Sequence, residues 1–102
     1  MLISISTPTI SVADKQFLMA ALEQLSVDIY VVCIGDGVYA PTIESLFFEE
    51  LTNHLKEESL LNLAFVDSDA SARGAKLPET AMSITSREFA ALSAKNTHWV
   101  TL

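Results

Sequence analysis

The residues of this chain that could do chemistry are few. Its single cysteine, Cys33, stands in VVCIGDGVYA, residues 31 to 40, beside two of the three glycines, Asp36 and Tyr39. A nucleophilic or sulfur-carrying cysteine works as a thiolate, so it needs a helix N-terminus or a cation nearby and an open path to its partner. Cys33 is set among apolar neighbours, and its nearest charge in sequence is Asp36, which opposes ionisation. With no Lys, Arg or His local to it, Cys33 reads as a small apolar side chain in a core. One cysteine with His54 and His98, all widely spaced, makes no zinc pattern. No Ser-His-Asp arrangement is suggested, and the acids look like helix surface. The residues by themselves therefore predict no catalytic set, no metal and no cofactor.

Other candidates carry two readings each. GDGVYA lacks the third glycine of a dinucleotide loop. It reads instead as a strand-to-helix turn whose glycines take positive φ. Tyr39 belongs either to the core or to an exposed functional edge. Phe47 and Phe48 are adjacent, about 100° apart on a helix, so Phe48 belongs to a wide buried face or to a subunit contact. His54 reads as a solvated helix residue, and Trp99 as a plug at the core edge or a group facing a partner.

Length and charge bound what these residues serve. One domain fits in 102 residues, half of them hydrophobic. No apolar run approaches the ~20 residues that cross a bilayer. The start MLISISTPTI lacks a basic segment and a long apolar stretch, so no signal peptide or membrane association is expected. A lone cysteine fits a reducing compartment, which predicts a cytoplasmic protein. Thirteen acids against six scattered bases give a net charge of −7. Affinity for nucleic acid rests on Lys and Arg, so no direct contact with it is expected.

The elements that must position these residues alternate. Leu2, Ile3 and Ile5 start a strand closed by Thr7-Pro8, and Ser11 caps a helix with the stripe Phe17, Leu18, Ala21, Leu22, Leu25. Val27 to Ile34 is nearly all apolar and rich in β-branched residues, a strand buried on both faces, with Ile29, Val31 and Cys33 on one side. Pro41 opens a second helix with the stripe Ile43, Leu46, Phe47, Leu51, Leu55, while Glu49, Glu50, Asn53 and Lys56 point elsewhere. Residues 60 to 66 read as a strand, and Asp67-Ser68-Asp69 caps a short helical turn that Gly74 ends. A strand at 81 to 85 leads to the capping-box pair Thr85 and Glu88, a helix holding Phe89 and Leu92 and ending at Asn96, and a last strand at HWVTL. This order predicts an α/β protein, one three-layer α/β/α domain on a mostly parallel five-stranded sheet. Functional groups then collect at the carboxyl ends of the strands: Ser6 to Pro8, Gly35 to Ala40, Asp67 to Asp69, and Thr85-Ser86.

A series of motifs runs in order along nearly the whole chain. Met1-Leu2 begins a short strand that reaches Thr7-Pro8; DGVYA, Asp36 to Ala40, directly follows a hydrophobic strand; Ala72-Arg73-Gly74 follows the third strand; and Trp99 stands near the end. In this series the chain resembles the DsrH/TusB family, small subunits of sulfur-relay complexes built with DsrE/TusD-like and DsrF/TusC-like sister chains. The resemblance implies a DsrEFH-like domain over residues 1–102 and a hetero-oligomer that passes persulfide sulfur between proteins. In the TusB-like branch that sulfur serves 2-thiolation of the tRNA wobble uridine, and in the DsrH-like branch dissimilatory sulfur oxidation. The sulfur-carrying cysteine of such complexes lies mainly on the DsrE/TusD-like sister. Asp36, Gly37, Tyr39, Arg73, Gly74 and Trp99 become motif or interface positions.

DsrH-like members tend to carry a cysteine in the first helical region, where Phe17 to Leu25 has none. Ile3 stands where the family often has His, and Thr97 where Gln is common. These departures favour a TusB-like, non-catalytic subunit. The alternatives are a carrier that uses Cys33 itself, the DsrH-like role, and a free-standing binding module that forms a homodimer when isolated.

Overall fold

The computed structural model describes residues 1–24, 28–56, 61–96 and 98–102. Expectations that fall on Leu25, Val27, Leu60 and Thr97, and on the side chains of His54, Leu55 and Lys56, lie outside the described residues. The elements follow the alternation read from sequence: β1 (Leu2–Ile5), α1 (Val12–Gln24), β2 (Ile29–Cys33), a 3-10 turn (Gly35–Tyr39), α2 (Ala40–Ile43), α3 (Ser45–Lys56), β3 (Leu61–Val66), α4 (Asp67–Arg73), β4 (Met82–Ile84), α5 (Ser86–Lys95) and β5 (Trp99–Thr101).

All five strands are parallel, in the order β4-β3-β2-β1-β5. Ile5 pairs with Cys33 and Cys33 with Phe65, so β2 lies at the centre. The chain steps outward from β1 to β4, then crosses back to lay β5 on the far side of β1. A reversal of direction sends the last crossover to the opposite face, because parallel crossovers are right-handed. The packing agrees. Leu18 and Ala21 of α1, Phe47, Phe48 and Leu51 of α3 and Ala70 of α4 cover Ile3, Ile5, Ile29, Val31, Cys33, Leu61 and Leu63. Phe89 and Leu92 of α5 lie over Leu2, Val32, Ala64, Val66 and Ile84 on the other face. The three-layer α/β/α arrangement is thus present, with an all-parallel sheet. Among the described residues no helix is long and apolar enough to cross a membrane.

Local signals set the helix ends. Ser11 Oγ accepts from the Asp14 amide at 3.1 Å. Thr85 and Glu88 form a reciprocal capping box, each side chain accepting from the other's backbone N–H at 3.1 Å. The aspartates of Asp67-Ser68-Asp69, expected to cap α4, do not: its N-cap is Val66, without a side-chain cap.

The second helical region departs most from its expected stripe. It breaks at Glu44 (φ −105°, ψ 46°), dividing α2 from α3. The Glu44 carboxylate is drawn sideways, accepting from the Ile10 amide at 3.0 Å and pairing with Lys15 Nζ at 3.0 Å. The Lys15 hydrogen bond, then the Ile10 amide, hold this carboxyl below its ordinary 4.5. Beyond the break Phe47, Phe48 and Leu51 are buried together while Ile43 and Leu46 are exposed. Phe48, 3% exposed and edge-on to Phe47 at 6.0 Å, is core and presents no surface for a subunit contact. Phe17, expected inside, is exposed.

Candidate functional site

The carboxyl edge of the sheet is built around the end of β2. Ile34 N–H donates to Ile5 O at 2.9 Å, carrying β2 one residue further along β1. Gly35 then takes φ +52°, a left-handed conformation that suits glycine. Gly37 does not share it, contrary to the expectation of positive φ at both glycines. A Cβ at Gly37 would lie 1.8 Å from Ile5 O, so what this position requires is the close passage of the turn over the end of β1. Val38 and Ala40 then point into the core.

The motif residues of this edge meet in one brace. Arg73 Nε donates to Asp36 Oδ1 at 2.9 Å, and Nη1 donates to Asp69 O at 3.3 Å with Asp69 Oδ1 3.9 Å away. Asp69 Oδ2 accepts from the Gly35 amide at 2.9 Å, and Tyr39 Oη donates to Arg73 O at 3.0 Å. Gly74, at φ +62°, ends α4 and turns the chain away. The Asp36 hydrogen bond, opposed by partial burial and aided by the charges of Asp36, Asp69 and Tyr39, raises the pKa of the Arg73 guanidinium. Asp69, read from sequence as a cap, is the missed member; its partner Gly35 is 34 residues away and no local signal marks the pair. Tyr39 is half-buried, resting on α4 through its hydroxyl.

Trp99 is not part of this cluster. It pairs with Leu2 at the start of the strands, the opposite edge of the sheet. Its indole N–H donates to Ser4 Oγ at 3.0 Å, and Ser4 in turn donates to Thr101 Oγ1 at 3.1 Å. The ring stands edge-on to Phe89 at 5.8 Å. Trp99 thereby ties β5 to β1 through Ser4, the one fully buried polar side chain among the described residues, and to α5 through Phe89.

Cys33 lies beneath the brace, 1% exposed, on the face covered by α1 and α3. Burial pushes its thiol up to about 12. The buried group therefore stays a thiol at pH 7, which removes it as a nucleophile in the closed fold. Among the described residues no group of three or more His, Cys, Asp or Glu could hold a metal ion. A shallow cavity of about 450 Å³ beside α4, between Phe65, Ala70, Leu77 and Ser83, has Asp67 as its single ionisable lining group. Every charge of the brace is matched to a partner, so the arrangement holds two connections rigid rather than moving protons.

No family model matches the chain, and no curated protein matches it.

Proposed function

We propose that this chain is a non-catalytic subunit of a DsrH/TusB-type persulfide-relay complex, of the branch that serves 2-thiolation of the tRNA wobble uridine in the cytoplasm. The observation that carries the reading is the state of Cys33: a sulfur carrier must offer a thiolate to a donor and then to an acceptor, and this thiol is buried and held protonated. The sulfur then travels on a DsrE/TusD-like sister, with a DsrF/TusC-like chain completing the assembly. Two further features support it. Asp36, Tyr39 and Arg73 of the motif series serve as a brace and expose no unmatched reactive group. The excess of acids leaves tRNA to another chain.

Co-expression with DsrE/TusD-like and DsrF/TusC-like chains tests the reading. The expected result is a defined hetero-oligomer that keeps its sulfur-transfer activity when Cys33→Ala replaces the wild type. A chain that ignores both sisters overturns it, and so does loss of transfer in an assembled Cys33→Ala complex. A stable homodimer that recruits neither sister identifies the free-standing module instead.

A further inference from the structure

The break at Glu44 has a consequence on the outer surface. Leu46, which the sequence places in the inward stripe, is turned out until it is 77% exposed. Directly across from it Val12, at the start of α1, is 70% exposed. Between them runs a groove of about 320 Å³ floored by Val12, Met19, Leu46 and Phe47. Two large apolar side chains this exposed, meeting across one groove, differ from the singly scattered apolar residues of an ordinary surface.

Charge decides what fits there. The two charged residues lining the groove are Lys15 and Glu50. Lys15 is already engaged, its Nζ 3.0 Å from Glu44 Oε2 and 5.8 Å from the centre of the Phe47 ring. Glu50 remains and is exposed, and Glu23 stands exposed on α1 one turn beyond Met19. The rim is therefore acidic around an apolar floor. A second copy of the chain would bring the same excess of acids, −7 in all, against it. Anionic lipid and nucleic acid are repelled in the same way. What complements the groove is a helix with an apolar stripe and basic flanks, the helix-in-groove mode of recognition.

We propose that the α1/α3 groove docks an amphipathic helix of a partner protein, its apolar stripe seated between Val12 and Leu46 and its lysines or arginines meeting the acidic rim. The proposal stands independently of the sulfur-relay reading. The probe is a synthetic helical peptide of about 14 residues with leucines at i, i+3, i+4 and i+7 and lysines elsewhere. Its controls are a scrambled peptide of the same composition and a copy with glutamate in place of lysine. Amide shifts followed by NMR during titration are expected to saturate and to map to Val12–Met19 and Leu46–Glu50. Leu46→Asp and Val12→Asp, both at exposed positions, are each expected to weaken binding by about tenfold or more. Glu50→Lys is expected to weaken it in a salt-dependent way. Equal binding of the scrambled peptide, shifts that map elsewhere, or variants that bind as wild type each overturn the proposal. So does self-association in sedimentation that Leu46→Asp abolishes, or binding of the wild type to anionic phosphatidylglycerol vesicles.

Discussion

A thiol whose ordinary value is 9.0 and whose folded value is about 12 couples Cys33 to stability with a definite sign. Below pH 9 both folded and unfolded chains keep the proton, and the coupling is silent. Above it the unfolded chain releases a proton that the folded chain retains, so stability falls as pH rises, until the folded value is reached. The gap in unfolding free energy between wild type and Cys33→Ala is expected to shrink by about 1.4 kcal/mol from pH 8 to pH 10 in urea titrations. Alkylation of the native protein at pH 8 is expected to be no faster than global unfolding allows. The glycines separate in the same residue-by-residue manner. Gly74→Ala meets open space and bears only the left-handed φ, a loss of about 1–2 kcal/mol. Gly37→Ala drives a methyl into Ile5 O and is expected to cost about 3 kcal/mol or more, read from urea or thermal midpoints. The burial of Cys33 was legible in its neighbours because a strand with apolar residues on both sides has nowhere else to go. The reason for Gly37 was not, since it depends on β1 lying beside the turn.

Elements whose ends are decided within a few residues were legible, and the others were not. The capping box at Thr85 and Glu88 is a matter of spacing, and it forms as the spacing implies. Because α5 supplies Phe89 and Leu92 over the second face of the sheet, its cap matters beyond the helix itself. Thr85→Ala is expected to lower stability by about 1 kcal/mol, with hydrogen exchange accelerated first in the opening turn of α5. The break at Glu44 has no such local signature. Its cause is the Ile10 amide, 34 residues back, together with Lys15, so a continuous stripe from Ile43 to Leu55 was the only pattern visible along the chain. The same holds for α4, where Asp69 leaves the expected capping role to accept from Gly35 across the sheet edge.

At the scale of the whole molecule, alternation along the chain gave the layers and the parallel sheet, while the strand order came only with the structure. A pattern of buried strands and amphipathic helices says that neighbours pair; it does not say on which side of β1 the last strand returns. Charge is the remaining global property, and its sign can be worked out. The described ion pairs, Lys15–Glu44, Arg73–Asp36 and Arg73–Asp69, engage two of the six bases, and all lie at or near the surface. Such exposed pairs contribute little, and salt weakens them. Against them stands the mutual repulsion of thirteen acids, which salt relieves over a Debye length of about 10 Å at 0.1 M. With acids outnumbering bases by more than two to one, relief outweighs loss. Raising NaCl from about 10 to about 150 mM at pH 7 is therefore expected to raise the thermal midpoint by a few degrees, about 4–8 °C for each kcal/mol gained. Neutralising two exposed acids of α3 in Glu49→Gln/Glu50→Gln should reproduce part of that gain at low salt and reduce its salt dependence. A midpoint that falls with salt would mean that the brace at Arg73 and the hook at Glu44 dominate the electrostatics of the fold.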